Sequence, residues 1–250
     1  MKRFYQAVRI APSGQGHSVL LDERPVRTPA KQPLIAPTVS LAEAIAAEWQ
    51  EQEGTIRPEA MPLTRLASTA IDRLPALRQA AIDEVAAYVD TDLVCYRAAE
   101  PFELVRRQHH AWQPVLDWLS AAYGVRLSVT TSILPLAQPD AARARLRAAI
   151  EDLSDWPLVG VHAATTALGS VALGLAVLER RIDPEAALAA SLLDELFEIE
   201  RWGSDLEAER RHAVLRRDVA AAAQFLREVH QARSSRGLNC ISNPDPLIRG

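Results

Sequence analysis

The period of the hydrophobic pattern changes once along this 250-residue chain, near Ser40. Before that point, short alternating runs are separated by Pro, Gly and Asp, which predicts a small antiparallel sheet of hairpins. After it, apolar residues recur at the 3.6-residue spacing of amphipathic helices. Because the strands come first and the helices follow, the order predicts an α+β fold rather than alternating α/β.

The turn and cap residues place the elements. Short strands are predicted at 4–10, 18–21, 26–28 and 34–35, with a hairpin turn at Gly14-Gln15-Gly16. Helices are predicted at 40–53, 62–74, 75–89, 103–123, 139–153, 157–180, 184–202 and 204–231. Ser40-Leu41-Ala42-Glu43 fits a capping box at the first helix start, and residues 125–131 fit either a strand or an extended connector.

This pattern divides the chain into three parts. We expect a small N-terminal antiparallel β domain with one or two flanking helices at 1–75. A multi-helical, orthogonal-bundle-like domain is expected at 76–232. The remaining residues, 233–250, are rich in Ser, Asn, Pro and Gly and are expected to form a flexible tail.

Charge and motif content argue against several classes of protein. The net charge is −4, so the chain has no basic excess to neutralise phosphates, and nucleic acid is not an expected partner. No P-loop, dinucleotide fingerprint, HExxH or GxSxG motif occurs, and we expect neither a cofactor nor a metal. Glu209 and His212 form a single Glu-x-x-His pair, where a di-iron bundle needs two. The start of the chain has no signal-peptide pattern, so we expect a cytoplasmic protein with reduced cysteines.

Residues 157–178 carry no formal charge and are long enough to span a bilayer. His162, three glycines and several hydroxyl side chains dilute their hydropathy, and small residues at i,i+4 would let neighbouring helices approach closely. We therefore expect a buried central helix and no membrane insertion. A membrane-attached scaffold is the alternative.

The densest acidic stretch is 194–205. On a helix, Asp194 and Glu198 share one face with Glu195 beside them, an arrangement that costs a few tenths of a kcal/mol per like-charge pair. An arginine on another helix or on a partner could offset this cost, and an ordinary solvated face is equally compatible. A general-acid dyad of a helical hydrolase is a further alternative. Trp202 ends the helix, and Gly203 fits a left-handed C-cap.

Several segments together resemble one protein family. In chain order they are Lys2-Arg3-Phe4-Tyr5, Leu21-Asp22-Glu23-Arg24-Pro25-Val26-Arg27-Thr28-Pro29, Ala46-Ala47-Glu48-Trp49-Gln50-Glu51-Gln52, Met61-Pro62-Leu63-Thr64-Arg65-Leu66-Ala67, Thr69-Ala70-Ile71-Asp72, Asp90-Thr91-Asp92-Leu93-Val94-Cys95-Tyr96-Arg97-Ala98, Ala167-Leu168-Gly169-Ser170, Leu193-Asp194-Glu195-Leu196-Phe197 and Glu200-Arg201-Trp202-Gly203-Ser204-Asp205. Their order and spacing are similar to those of the assembly chaperones for the α subunit of the F-type ATP synthase. Glu198 departs from that pattern, in which glutamine is usual.

The resemblance implies a non-catalytic function. It implies that the chain binds the free α subunit and prevents its aggregation until the β subunit replaces the chaperone, with eukaryotic relatives in the mitochondrial matrix. We expect a monomer when the chain is free, and no catalytic residues. The predicted partner contacts are Glu195, Glu198, Glu200, Trp202 and Asp205. The predicted structural residues are Trp49, Asp72, Gly169 and Gly203.

Overall fold

The computed structural model describes residues 1–234, so the predicted flexible tail lies almost entirely outside the described residues. The N-terminal region forms a four-stranded antiparallel sheet in which β2 pairs with each of the other three strands. The strands are β1 (Val8–Ser13), β2 (Gly16–Leu21), β3 (Arg24–Pro25) and β4 (Ile35–Ala36). The predicted hairpin turn is confirmed, since Ser13 pairs with Gly16 across it.

The first strand begins four residues later than predicted. The Asp22 carboxylate accepts hydrogen bonds from the backbone N–H groups of Gln6 and Ala7, both at 3.0 Å. These amides are therefore satisfied by a side chain, and the ladder with β2 starts only at Val8. A tertiary contact, invisible to the local alternation, sets the strand boundary.

Within the described residues, the helices follow the sheet and confirm the α+β fold class. They are α1 (Val39–Gln50), α2 (Pro62–Asp72), α3 (Leu74–Ala87), α4 (Phe102–Tyr123), α5 (Asp140–Glu151), α6 (Asp155–Leu168), α7 (Val171–Leu178), α8 (Pro184–Ser191), α9 (Leu193–Trp202) and α10 (Leu206–Ser234). Residues 125–131 are a connector whose only pairing is a single bridge from Thr130 to Tyr96. The α4 helix is continuous through Pro114.

The predicted capping box at Ser40 is wrong, because α1 begins earlier. Thr38 is the N-cap, and its Oγ1 accepts the Leu41 N–H at 3.2 Å. The Thr38 hydroxyl also donates to the Glu228 carbonyl of α10 at 2.8 Å. The cap therefore also ties α1 to the last helix.

The predicted helix over 157–180 is two helices. Gly169 adopts the left-handed conformation (φ 63°) that ends α6, and the Ser170 Oγ accepts the Leu173 N–H at 3.0 Å to start α7. Positive φ is unfavourable for residues with a Cβ, so glycine suits this break. In the described part of the chain, no helix has both the length and the hydropathy that crossing a bilayer requires. The predicted 184–202 helix is likewise divided, at Leu192 between α8 and α9.

The break between α6 and α7 is fixed by a buried carboxylate. Asp92 is fully buried, and its Oδ2 accepts the Ala172 N–H at 3.0 Å while its Oδ1 accepts the Val94 N–H at 3.2 Å. Burial raises the pKa of Asp92 to about 6, although its hydrogen bonds act in the opposite direction. This side chain holds the connector before α4 against the start of α7.

The core extends from the sheet into the helices. The α6 and α7 helices are its most buried part, and α10 packs along α6. A Cβ at Gly160 would lie 2.5 Å from Leu226 Cδ2, so this close helix contact needs glycine. The α1 and α2 helices also pack against α10. A domain boundary at residue 75 stays a prediction.

We expect Gly169→Ala to destabilise the fold. A left-handed alanine costs about 1–2 kcal/mol, and its Cβ would also lie 3.3 Å from Leu93 Cδ2. Gly54→Ala is the matched control, since Gly54 has nearly the same φ (64°) with nothing within 4 Å of the added Cβ. Urea unfolding should show the larger loss for Gly169→Ala, and equal losses would exclude a contribution from the Leu93 contact.

We also expect Asp92 to give stability a characteristic pH dependence. Because its folded pKa is raised from 3.8 to about 6, the folded state binds the extra proton. The stability contributed by this group is complete below about pH 4 and falls until about pH 6. Unfolding free energies of wild type minus Asp92→Asn should therefore decline across that window.

Asp83→Asn supplies a control of opposite sign. A hydrogen bond from Arg147 lowers the pKa of the exposed Asp83 carboxyl, so its contribution is lost as the pH falls through that lowered value. A difference between wild type and Asp92→Asn that does not change with pH would contradict the assignment of a raised pKa to Asp92.

Candidate functional site

The acidic stretch of the sequence forms α9, which packs against α4 and α8. Phe197 is its buried anchor, and the guanidinium groups of Arg201 and Arg107 lie 4.0 and 5.2 Å from the ring centre. Cations over an aromatic face are attracted by its quadrupole. The apolar side of α9 therefore faces the body while its carboxylates ring the outer side.

Glu195 is held by two side chains of α10. Its carboxylate pairs with Arg211, and its Oε1 lies 2.9 Å from His212 Nε2. The Arg211 hydrogen bond, supported by His212, lowers the pKa of Glu195. His212 therefore contacts α9. The described part of the chain contains no cluster of three or more His, Cys, Asp or Glu side chains that could hold a metal ion.

Glu200 is held by α4. Arg107 Nη1 donates to both oxygens of Glu200, at 2.9 and 2.8 Å, and Arg107 Nε donates to Glu103 at 2.9 Å. Of the alternatives open from the sequence for the Asp194, Glu195 and Glu198 face, an arginine on another helix is therefore found for Glu195, and Glu200 has one as well. Both carboxylates have internal partners, so each fixes α9 to a neighbouring helix.

Asp194 is tied to a buried amide. Gln108 is fully buried, with Nε2 donating to Asp194 Oδ1 at 2.7 Å and Oε1 accepting the Ala98 N–H at 2.8 Å. Both polar ends of this glutamine are satisfied, which removes the cost of burying them. The position of Asp194 is thus set from inside the core.

The end of α9 is the part that faces outward. Glu198 is exposed and has no ion-pair partner among the described residues. Trp202 is 85% exposed, and exposed Asp205 caps α10 by accepting the Ala208 N–H at 2.8 Å. Gly203 has a positive φ of 87°, but its ψ of 164° is extended, so the predicted left-handed C-cap is wrong and the chain leaves α9 sharply toward α10. We call Glu198, Trp202 and Asp205 the acidic tip.

The remaining predicted structural residues lie around α2. The Asp72 carboxylate accepts the Thr28 hydroxyl at 2.6 Å and the Ala30 N–H at 3.0 Å, which ties the end of α2 to the loop after β3. Trp49 is half-buried against the core, and its carbonyl accepts the Tyr5 hydroxyl at 2.6 Å. Trp49 also lines two surface grooves, which a purely internal residue would not do.

Sequence reasoning missed the partners that organise α9. The sequence placed Arg211 and His212 on a charged helix but did not indicate that they contact Glu195. Nothing in the sequence around Gln108 indicated that this side chain is buried. Arg107 had one signal, because Glu103 precedes it at i,i+4. The contacts between helices could not be read from that spacing.

The geometry limits the chemistry of this site. A general acid at neutral pH needs a carboxyl whose pKa is raised. Glu195 has the opposite shift, because cations surround its ionised form. The arrangement is suited to presenting negative charge and one aromatic side chain to another molecule.

Comparison with known proteins places the chain in a family. Residues 2–120 match the family described as ATP12 chaperone protein. The mitochondrial protein atp12 of Schizosaccharomyces pombe is 25% identical over 198 residues, 74% of this chain and 68% of the relative.

Two crystal structures match over nearly the whole described chain. Atp12 from Paracoccus denitrificans is 41% identical with a TM-score of 0.86, covering 91% of this chain and 98% of that one. Atu1473 from Agrobacterium tumefaciens is 37% identical with a TM-score of 0.87, covering 91% of this chain and 86% of that one. These similarities confirm the resemblance seen in the sequence motifs: the chain belongs to the ATP12 chaperone family.

Proposed function

We propose that this chain is a non-catalytic assembly chaperone that binds the free α subunit of the F-type ATP synthase catalytic sector. It prevents aggregation of that subunit until the β subunit replaces it. Membership of the ATP12 chaperone family supports the general role. The observation that carries the placement of the site is Trp202, 85% exposed beside the carboxylates of α9.

An exposed tryptophan beside unpaired charge suits protein recognition. Binding energy concentrates in a few residues, and tryptophan is prominent among them, because its large ring loses much contact with water on burial. An unassembled ring subunit exposes an interface more apolar than ordinary surface, which is prone to aggregate. Trp202 supplies the apolar contact, and the charge of Glu198 steers and orients the partner.

The five predicted contact residues then divide into two roles. Glu198, Trp202 and Asp205, the acidic tip, contact the partner. Glu195 and Glu200 act chiefly as positioning residues, because each already pairs with cations of a neighbouring helix. Their outer edges add negative potential to the same face.

Displacement by the β subunit requires limited affinity. A standard interface buries on the order of 1,600 Å² and can range from micromolar to picomolar, depending on its anchors. One exposed tryptophan with solvated carboxylates provides few anchors, so a competing subunit with a larger apolar interface can replace it. Such a chaperone acts at one-to-one stoichiometry without turnover.

The proposal also covers the cellular location and the oligomeric state of the chain. The chain acts as a monomer in the bacterial cytosol, where the α subunit is made; two relatives of known structure are bacterial proteins. The relative from Schizosaccharomyces pombe is named as mitochondrial, in keeping with a matrix location for eukaryotic members. For the hydrolase alternative, the lowered pKa of Glu195 is unfavourable.

Co-expression with the cognate α subunit, followed by size-exclusion chromatography, tests this function. Wild type should co-elute with the α subunit one-to-one. Glu198→Lys/Trp202→Ala should weaken capture about 30-fold, the effect of losing about 2 kcal/mol of hot-spot contact. Phe102→Ala/Glu43→Lys is the matched control, since Phe102 is 80% exposed and Glu43 is exposed on α1.

That control should capture the α subunit as wild type does. Unchanged capture by the Glu198→Lys/Trp202→Ala variant, with its melting temperature preserved, would remove the acidic tip from the binding site. Failure of wild type to capture the α subunit would reject the proposed function itself.

The division of roles is tested separately by Glu195→Gln. Loss of the pairs with Arg211 and His212 should cost a few tenths to about 1 kcal/mol locally and speed amide hydrogen exchange in α9. Glu198→Gln, which breaks no ion pair, should leave that exchange unchanged while weakening capture. Equal exchange rates in both variants would show that Glu195 does not fix α9.

A further inference from the structure

A second surface, separate from α9, runs along α2. Three grooves that share lining residues form one furrow there. The largest of the three by volume, about 730 Å³, lies between α2 and the loop after β3. A second, of about 490 Å³, shares Arg27 and Trp49 with it, and a third, of about 290 Å³, shares Thr69 and Arg73. We call these three connected grooves the α2 furrow.

The middle of the furrow is basic. Arg27, Arg65 and Arg73 line it, all exposed, and none has a carboxylate within ion-pair distance among the described residues. Within residues 1–234, the Arg27 guanidinium donates only to the carbonyl of Lys31, at 2.9 Å. Many arginines elsewhere in the described chain are paired with carboxylates, such as Arg78 with Asp155 and Arg147 with Asp83. Unpaired arginines concentrated in a groove of a chain with net charge −4 indicate a site for negative charge.

The one acidic residue that lines this middle groove is already engaged. Asp72 accepts the Thr28 hydroxyl with one oxygen and the Ala30 N–H with the other. It therefore braces the wall of the groove and forms no ion pair with the arginines among the described residues. Its single negative charge stands against the three positive charges of Arg27, Arg65 and Arg73. The groove keeps a net positive charge.

Each end of the furrow presents an exposed apolar side chain, and Glu84, paired with His162 at 2.8 Å, also lines one of these ends. Phe4 at one end is 56% exposed, and Leu77 at the other is 48% exposed. Trp49 forms the wall between the first two grooves, and its indole Nε1 is buried without a hydrogen-bond partner in the described structure. A buried N–H that lacks a partner costs free energy.

The shape favours an extended chain over a compact ligand. Small-molecule sites are concave pockets that enclose most of one ligand. This furrow instead joins three successive grooves, two of which are lined by α2. Exposed apolar side chains on either side of the three arginines match a segment with carboxylates between apolar side chains. Arginine is also the side chain best suited to bidentate pairing with carboxylates.

We propose that the α2 furrow binds an extended acidic segment of the captured subunit, with at least two carboxylates placed between apolar side chains. This inference rests on the proposed function, because the occupant is part of the α subunit. It adds a second contact of opposite charge to the acidic tip. Two separate contacts on one client raise the overall affinity through effective concentration, while each remains weak enough to be released in turn.

The test uses the full chain co-expressed with the cognate α subunit. In one arm, p-benzoylphenylalanine replaces Ala30, an exposed residue of the furrow wall, and irradiated complexes are mapped by mass spectrometry. In the second arm, Arg65→Glu/Arg73→Glu is compared with Arg126→Glu/Arg181→Glu, a control with the same charge change at exposed arginines outside the furrow. Melting temperatures verify that both variants fold.

We expect the crosslink to map to one α-subunit segment that carries carboxylates beside apolar residues. Capture should fall at least tenfold in Arg65→Glu/Arg73→Glu and stay unchanged in the control. Replacing the carboxylates of the mapped segment with arginine should restore capture by the Arg65→Glu/Arg73→Glu variant.

Other outcomes overturn the inference. A crosslink to a second copy of this chain, to its own residues 235–250, or to an α-subunit segment without acidic residues would show a different occupant. Equal capture by the furrow and control variants, with wild-type capture intact, would reject the furrow as a binding site and leave the proposed function standing. Absence of capture by wild type would reject the proposed function and the furrow together.

Discussion

The buried Asp92 carboxylate and the glycine break that it supports are the constraint on which the helical body depends. Gly169 ends α6 in a left-handed conformation, and the Asp92 carboxylate accepts an amide at the start of α7. Without this break the apolar stretch would be one long helix. With it, α6 and α7 pack on each other in the centre of the core, and α10 lies along α6. A buried carboxylate is expensive unless it is hydrogen-bonded, so its backbone amides both satisfy it and fix the geometry.

The position of α9 likewise depends on charged groups that find partners on other elements. A row of like charges on one helix is unfavourable by itself, yet Arg211 of α10 and Arg107 of α4 supply counter-charges, and His212 of α10 adds a hydrogen-bond contact. The pairs are largely exposed and individually weak. Together they hold the helix so that Glu198 and Trp202 point away from the body. The acidic surface is thus a built feature of three helices rather than a property of one segment.

The two proposed contact regions differ in how they present charge. At the acidic tip, an unpaired carboxylate accompanies an exposed aromatic side chain. In the α2 furrow, unpaired arginines lie between apolar ends. A bound subunit that contacts a negative and a positive region is oriented as well as retained. Exchanging the two contacts would bring like charges together. Contacts of this kind are sensitive to competition from a larger apolar interface, which suits a protein that must release what it holds.

From the amino-acid sequence we could predict the order of strands and helices, the hairpin turn, the position of the acidic stretch and the family. Each of these depends on local periodicity or on motif order. The break in the apolar stretch combines a local signal, Gly169 followed by the cap Ser170, with a tertiary contact from Asp92 that the sequence does not reveal. The hydroxyls of Thr38 and Ser40 both donate to the Glu228 carbonyl of α10, and Thr38 is the one that caps α1. Glu195 and Glu200 gained internal partners from helices distant in sequence, whereas Glu198 did not. Neighbouring positions on one helix look alike in sequence, and only the packing of other elements around them distinguishes a structural carboxylate from an exposed one.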